Sequence, residues 1–198
     1  MASRIRLSPA ERREQLLDLG VRLFARRSLD ELSVDVLAQE AGISRGLLYH
    51  YFGDKLGFRE AVVRRAAADL VAQTAPPPSG DPQQRLLHSM AAYLAYVEAN
   101  YEGYLSLVRG AAGDPVLREV YDEARAALTD RIFESDDAGM LPDTPVVRLL
   151  VKGWAAMAEE LVLSWMADPA GVTREQLLDL LGNSLPALVA SPAAATVG

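Results

Sequence analysis

The sequence lacks cysteine altogether and has only two histidines, His50 and His88, in 198 residues. The missing cysteine excludes disulfides, thiolate nucleophiles and cysteine-bound metals, and two isolated histidines exclude a histidine-rich metal site. No apolar run approaches the roughly 18 residues of a membrane-spanning helix, and no apolar segment typical of a signal peptide follows the basic N-terminus. We therefore expect a cytoplasmic protein with no metal and no cofactor.

What the chain does contain is typical of a helical globular protein: half of its residues are hydrophobic and 24% are charged. Its net charge of −7 is unevenly spread, because residues 1–66 hold 12 Lys and Arg against 9 Asp and Glu, whereas residues 67–198 hold 8 against 18. A basic N-terminal part on an acidic body predicts that only the N-terminal part meets a polyanion. Chance clustering on a solvated face is the alternative.

Helix-start signals recur along the chain and predict an all-α fold. Ser8-Pro9-Ala10-Glu11 and Thr173-Arg174-Glu175-Gln176 have the spacing of capping boxes, in which side chains at both ends satisfy unpaired backbone amides. Ser33 and Ser44 each precede a short helix as N-caps. No segment alternates apolar and polar residues as a half-buried strand does. We predict about nine helices and no sheet, with the first helix running from 9 to about 27.

The most informative stretch is 33–55, SVDVLAQEAGISRGLLYHYFGDK. Two short helices share a connection at Gly42, because glycine readily adopts the left-handed backbone of such a tight turn. Ala38, four residues earlier, is small enough to let the two helices cross closely. Leu48 and Phe52 then face the first helix as core residues. This is the helix-turn-helix pattern, in which the second helix lies in the major groove of DNA.

The segment ISRGLLYHYFGDKLGF, preceded by SVDVLAQEAG and by a helix ending in RLFARR, resembles the TetR family of bacterial transcriptional regulators over residues 8 to about 62. The resemblance implies an all-α homodimer with an N-terminal DNA-binding domain. It also implies a C-terminal domain that binds a small-molecule inducer and dimerises through its last two long helices. We accordingly expect a DNA-binding domain at 1–53 (motif about 33–53), a ligand-binding and dimerisation domain at 54–190, and a disordered tail at 191–198.

The first turn of the predicted recognition helix consists of Ser44, Arg45 and Gly46, whose amides and side chains suit a phosphate or a base edge. Arg45 is expected to contact either a guanine or a phosphate. Gly46 would cost about 1 kcal/mol relative to alanine in a helix, which indicates that the position needs a close approach.

Five further residues complete the predicted DNA contacts. The resemblance implies that Tyr49 and Tyr51 bind phosphates, and that Tyr49 also touches a thymine methyl group. His50 is either a contact or a solvent-exposed side chain. Lys55 begins the next helix, where its charge opposes the helix dipole unless a phosphate lies there. Ser33 is either an N-cap alone or an N-cap and a phosphate ligand.

The C-terminal helices predicted at 145–167 and 174–189 are apolar around most of their girth, so each must be buried on two sides. We expect one side to face the subunit core and the other to form a four-helix dimer interface. The aromatic and methionine residues of this domain are candidates for an apolar or aromatic inducer, with ordinary core packing as the alternative. They are Tyr93, Tyr96, Tyr101, Tyr104, Phe133, Trp154, Met157 and Trp165.

Taken together, these patterns predict a ligand-responsive DNA-binding regulator rather than an enzyme. It is expected to bind a roughly palindromic double-stranded operator as a homodimer, to act as a repressor, and to be released by a small molecule. The alternatives are a helical adaptor that binds proteins through its N-terminal helices, and an all-α enzyme. An enzyme would need a catalytic constellation, and the sequence shows none of the familiar motifs.

Overall fold

The computed structural model describes residues 8–136, 139 and 141–190. These residues contain nine α-helices and no β-strand, which confirms the predicted all-α fold. None of the nine is long and apolar enough to cross a lipid bilayer. The tail predicted at 191–198 lies outside the described residues. The helices are α1 (Pro9–Phe24), α2 (Val34–Ala41), α3 (Arg45–Phe52), α4 (Lys55–Gln73), α5 (Pro82–Ala99), α6 (Tyr101–Gly110), α7 (Pro115–Glu134), α8 (Pro145–Ala167) and α9 (Arg174–Val189).

The predicted caps form as expected. Both capping boxes are present, one at the start of α1 and one at the start of α9. In the first, the backbone N–H of Ser8 donates to the Glu11 carboxylate at 2.7 Å, while the Ser8 hydroxyl accepts from the Glu11 N–H at 3.2 Å. Hydrogen bonding from the Ser8 backbone and side chain lowers the pKa of Glu11 below its ordinary value. These local bonds settle where the helices begin.

Helix α1 ends at Phe24, three residues before the predicted end. The amides of Arg26 and Arg27 bond to carbonyls three residues back, a tightening that closes the helix. The next residues form their own turn, in which the Ser28 N–H donates to the Glu31 carboxylate at 2.9 Å. The helical periodicity of the sequence therefore overestimated α1, because a competing serine–glutamate turn ends it.

Two compact units emerge from the contacts within the described chain, and each is described by itself. The first comprises residues 8–69 and Ala99–Asp122. In this unit α4 packs on α1, since a Cβ atom on Gly20 would lie only 2.7 Å from Val62. Arg65 of α4 also binds Glu14 at 2.8 Å and Asp18 at 3.1 Å. The fully buried side chains of this unit include Leu16, Leu32, Leu37, Leu48, Phe58, Val62 and Val63.

Helix α6 belongs to this first unit and touches the end of α1. A Cβ atom on Gly103 would lie 2.6 Å from the carbonyl oxygen of Phe24, so only glycine fits there. The N–H of Leu29, in the connection after α1, donates to the Ser106 hydroxyl at 3.2 Å. Arg59 of α4 holds the same connection by donating to the Leu29 carbonyl. The connection between α1 and α2 is thereby fixed from two helices.

The second unit comprises Leu70–Glu98 and 123–190, with α8 and α9 packed against each other. Its core includes Val147, Val151, Trp154 and Leu185. The indole N–H of Trp154 donates to the Ser184 hydroxyl at 2.8 Å, which satisfies the ring's polar atom across the α8–α9 contact. Unit and helix boundaries do not coincide here, because α4 and α7 each contribute residues to both units.

Candidate nucleic-acid interface

The turn between α2 and α3 has the geometry that the sequence predicts. Gly42 ends α2 in the left-handed region, with φ 63° and ψ 36°, where a residue with a Cβ atom is disfavoured. The Ile43 N–H then donates to the Ala38 carbonyl at 3.0 Å. Ser44 caps α3 at once, because its hydroxyl accepts from the Leu47 N–H at 3.3 Å. The two helices are therefore joined without any flexible connection.

Helix α3 divides cleanly into a core face and an outer face. Leu48 and Phe52, four residues apart, are buried, and the Phe52 ring meets the Phe58 ring edge-on at 5.3 Å between centroids. Both were predicted as core, and the burial confirms it. Tyr49 and His50 point outward and are exposed, whereas Tyr51 is half-buried. The outer face thus carries polar and aromatic side chains together with exposed Leu47, while Leu48 and Phe52 fix the helix to the core.

Arg45 is held at the start of α3 by an ion pair with Asp35 of α2. Both side chains are more than half exposed, at 66% and 56%. An exposed ion pair contributes only about 0–1 kcal/mol, so it orients the guanidinium without fixing it. Arg45 can therefore exchange the carboxylate for a phosphate or a base edge at little energetic cost.

Gly46 is not required by the fold of the protein itself. A Cβ atom there would meet nothing nearer than the Ser44 hydroxyl at 3.9 Å, and the backbone is ordinary helix. Glycine nevertheless costs about 1 kcal/mol relative to alanine in a helix interior. The packing within the protein therefore gives no reason for a glycine at this position.

The Gly46→Ala variant is expected to be more stable than the wild-type protein by up to about 1 kcal/mol, because alanine has the higher helix propensity. On DNA, the added methyl group must fit between α3 and the groove, so affinity should fall by about 1–3 kcal/mol, as in an overpacked contact. Thermal unfolding measures the first effect and duplex titration the second. The matched control is Gly103→Ala, which should destabilise the protein, since its Cβ atom has no room. Unchanged duplex affinity in Gly46→Ala would show that no close approach occurs there.

The starts of α2 and α4 bring two more predicted residues to the same unit. Ser33 is an N-cap, with its hydroxyl accepting from the Val36 N–H at 3.2 Å. Asp54 performs that role for α4 by accepting from the Gly57 N–H at 2.8 Å. Lys55 follows as the first residue of α4 and is exposed, with its charge at the positive end of the helix. All eight predicted DNA-contact residues thus lie in the first unit.

The eight predicted ligand residues are distributed over both units. Tyr101 and Tyr104 lie on α6 in the first unit, whereas the other six lie in the second. Tyr93, Tyr96 and Trp154 are buried in the second unit, and Phe133 and Trp165 are half-buried there. Met157 lies on the exposed side of α8. Among the described residues, no group of histidine and acidic side chains is arranged to hold a metal ion.

Sequence reasoning missed two residues of the α2–α3 surface. Asp35 pairs with Arg45 across the turn, and no short sequence spacing announces this contact. Leu47 is 36% exposed on α3 although it is apolar. Its place could have been inferred, because a residue next to buried Leu48 lies about 100° away from it around a helix.

Comparisons with known proteins agree with this geometry. The family model described as "Bacterial regulatory proteins, tetR family" matches residues 16–62. The model described as "Tetracyclin repressor-like, C-terminal domain" matches residues 82–188, more than half of the chain. The two matches together span both the helix-turn-helix and the C-terminal helices.

Individual relatives cover nearly the whole chain. A TetR-family regulator of known structure from Streptomyces coelicolor is 36% identical, with a TM-score of 0.84, and the match covers 96% of this chain and 85% of that one. The transcriptional activator FasR of Mycolicibacterium smegmatis is 27% identical over 88% of this chain and 81% of its own. The regulator BetI of Burkholderia cenocepacia is 28% identical over 91% of this chain and 95% of its own.

These proteins are regulators and not enzymes, and the predicted helix-turn-helix lies inside the matched region. The chain belongs to the TetR family of helix-turn-helix transcriptional regulators.

Proposed function

We propose that the protein is a repressor that binds a roughly palindromic operator as a homodimer in the cytoplasm and leaves it when a small molecule binds. The outer face of α3, exposed and backed by a buried anchor, is the observation that carries this proposal. Repression requires only that a dimer occupy promoter DNA. Activation is the second candidate, because a relative that matches most of the chain is named an activator.

The proposed DNA contacts are the eight residues predicted from the sequence. Ser44, Arg45 and Gly46 form the start of α3, where N–H groups and the helix dipole favour a phosphate or a base edge. Exposed Tyr49 and His50 continue this surface along α3. Ser33, Tyr51 and Lys55 complete the set as proposed backbone contacts, and such contacts fix the register of the protein on the duplex.

The Lys55→Gln variant is expected to lower the salt dependence of duplex binding. Each cation that neutralises a phosphate contributes about 0.9 to the slope of log K against log salt, so a dimer should lose about two units. The measurement is a titration of a selected duplex over a salt series. Arg118→Gln is the control, because it also removes one positive charge but lies exposed on α7, outside the proposed DNA contacts and the proposed dimer interface. An unaltered slope in Lys55→Gln would remove the phosphate contact from the proposal.

The proposed dimer interface is the outward stripe of α8 and α9. Val151 and Trp154 bury one side of α8, while the opposite side exposes Leu149 at 71%. Leu180 of α9 is 51% exposed on the side away from buried Leu181. Apolar side chains on both faces of a helix are expected where a second copy covers the outer one. Gly153 and Ala156 lie on the outward stripe too, and no atom of another described segment comes within 4 Å of the Gly153 Cβ position.

The proposed ligand is an apolar or aromatic molecule bound in the second unit. This proposal is supported by three buried aromatic residues of the second unit, Tyr93, Tyr96 and Trp154. The indole N–H of Trp154 already donates to the Ser184 hydroxyl. With that polar atom satisfied, the indole ring offers an apolar contact. Half-buried Phe133 packs against the same core. The other four predicted residues have less support. Tyr101 and Tyr104 belong to the first unit, Met157 is exposed, and Trp165 lies near the C-terminal end of α8.

Such a ligand is expected to lower operator affinity by about 5–150-fold, and operator must weaken ligand binding by the same factor. A thermal-shift screen of apolar and aromatic molecules identifies binders, which are then titrated with and without operator. The chain has two tryptophans, so Trp165→Phe leaves Trp154 as the sole tryptophan, whose fluorescence is excited selectively over that of the tyrosines. A molecule that quenches Trp154 but binds equally well in saturating operator would contradict the proposed switch.

A further inference from the structure

We propose that Leu47 determines operator sequence by contacting a thymine methyl group in the major groove. This inference rests on the proposed DNA-binding function and adds to it a residue that reads a base through apolar contact. It commits to a chemical preference: at one position in each half-site, a base with a 5-methyl group is favoured over the same base without one.

Leu47 lies on the outer side of α3, away from the core. Its neighbours Leu48 and Phe52 face the core and fix the rotation of the helix, so Leu47 is turned about 100° away from Leu48. The Leu47 side chain is 36% exposed. Its own N–H is the group capped by the Ser44 hydroxyl, which places it in the first turn of the helix. An exposed apolar side chain therefore lies in the first turn of the helix.

The surroundings of Leu47 allow it to reach a base edge. Gly46 beside it has no side chain, and a Cβ atom there would meet only Ser44. Arg45 leans towards Asp35 of α2 through its ion pair. Tyr49, two residues further on, is on the other side of the outer face. No bulky neighbour in the first turn thus holds Leu47 away from a duplex.

The chemistry of the groove then selects the base. A leucine side chain neither donates nor accepts a hydrogen bond, so it gives nothing to a phosphate and desolvates a polar base edge. The thymine 5-methyl group is the one apolar group that the major-groove edges present, and apolar side chains contact it in known complexes. A single exposed leucine is ordinary on a protein surface. Its place on the outer face of a groove-binding helix is what gives the exposure meaning.

The test compares thymine with deoxyuridine, which differs only by the absence of that methyl group. A duplex is first selected from a random library with the full-length wild-type protein. Symmetric pairs of thymines are then replaced by deoxyuridine, one pair at a time. Because burying one methyl group changes affinity by about fourfold, one pair should weaken wild-type binding by about fifteenfold. In Leu47→Ala, the same replacement should change affinity by less than about twofold, because the shortened side chain no longer covers the methyl group.

Two controls separate the inference from the function it rests on. Leu56→Ala removes an exposed leucine from α4 in the same unit and should keep the full deoxyuridine effect. Tyr49→Ala removes the ring that the resemblance places against a thymine methyl group. It should weaken binding to every duplex but keep the deoxyuridine effect at the Leu47 position, which excludes Tyr49 as the reader there. If Leu47→Ala retains the wild-type deoxyuridine effect, the Leu47 assignment is overturned while DNA binding stands. If no duplex is selected at all, both the assignment and the proposed function fail.

Discussion

The Leu180→Asp variant is expected to sediment as a 21.4 kDa monomer, whereas the wild-type protein is expected to sediment at twice that mass. In the proposed dimer this side chain lies against the partner copy, and an unpaired carboxylate cannot be buried there without a large desolvation cost. The variant should still fold, because the residue is half exposed within one chain. Analytical ultracentrifugation over a concentration series makes the measurement.

Loss of the dimer should cost the protein most of its operator affinity. Two tethered heads bind a palindrome about 10²–10⁴ times more tightly than one head does, because the second contact is intramolecular. Leu149→Asp, on α8, is expected to have the same two effects. Val116→Asp is the matched control: this residue is 37% exposed but lies in the first unit, so both mass and affinity should be unchanged. A dimeric, operator-binding Leu180→Asp protein would place the interface elsewhere.

The starts of the helices and the end of α2 could be predicted, because they depend on residues close together in sequence. Ser8 with Glu11, and Thr173 with Gln176, form capping boxes over three residues. Gly42 ends α2 through its own backbone conformation. Each of these features is local, so neither a partner helix nor knowledge of the fold was needed to recognise it.

Contacts between distant residues could not be predicted in this way. The Leu29 amide bonds to Ser106 across 77 positions, and Gly103 fits against Phe24 across 79. Nothing in the spacing of these residues distinguishes them from ordinary loop and helix positions. The sequence likewise identifies the proposed ligand residues only by their aromatic or methionine side chains and not by their contacts. The structure assigns them to two different units.

The recognition helix itself shows how far local signals reach. Helix α3 has only eight residues, well below the roughly 12–15 that an isolated helix needs for marginal stability in water. The Ser44 cap sets where it begins, but its stability must come from packing. Leu48 and Phe52 supply that packing, and the Arg13 guanidinium lies 5.2 Å from the centre of the Phe52 ring.

The Phe52→Ala variant is therefore expected to lose about 3–5 kcal/mol of stability, the usual cost of truncating a buried phenylalanine. Both tryptophans lie in the second unit, so their fluorescence reports that unit, whereas circular dichroism reports all nine described helices. In urea, Phe52→Ala should lose part of its helical signal before the tryptophan signal changes. DNA binding should be lost together with that early transition.

The Tyr49→Ala variant tests the outer face of α3 separately from its core face, which Phe52→Ala tests. Its side chain is 42% exposed, so truncation should change stability by less than about 0.5 kcal/mol while weakening operator binding. In Phe52→Ala, by contrast, stability is lost first, and DNA affinity falls because α3 no longer packs on the core. If Phe52→Ala unfolds at the wild-type urea concentration but binds DNA poorly, then Phe52 contacts the duplex directly, and the division of α3 into a core face and an outer face is wrong.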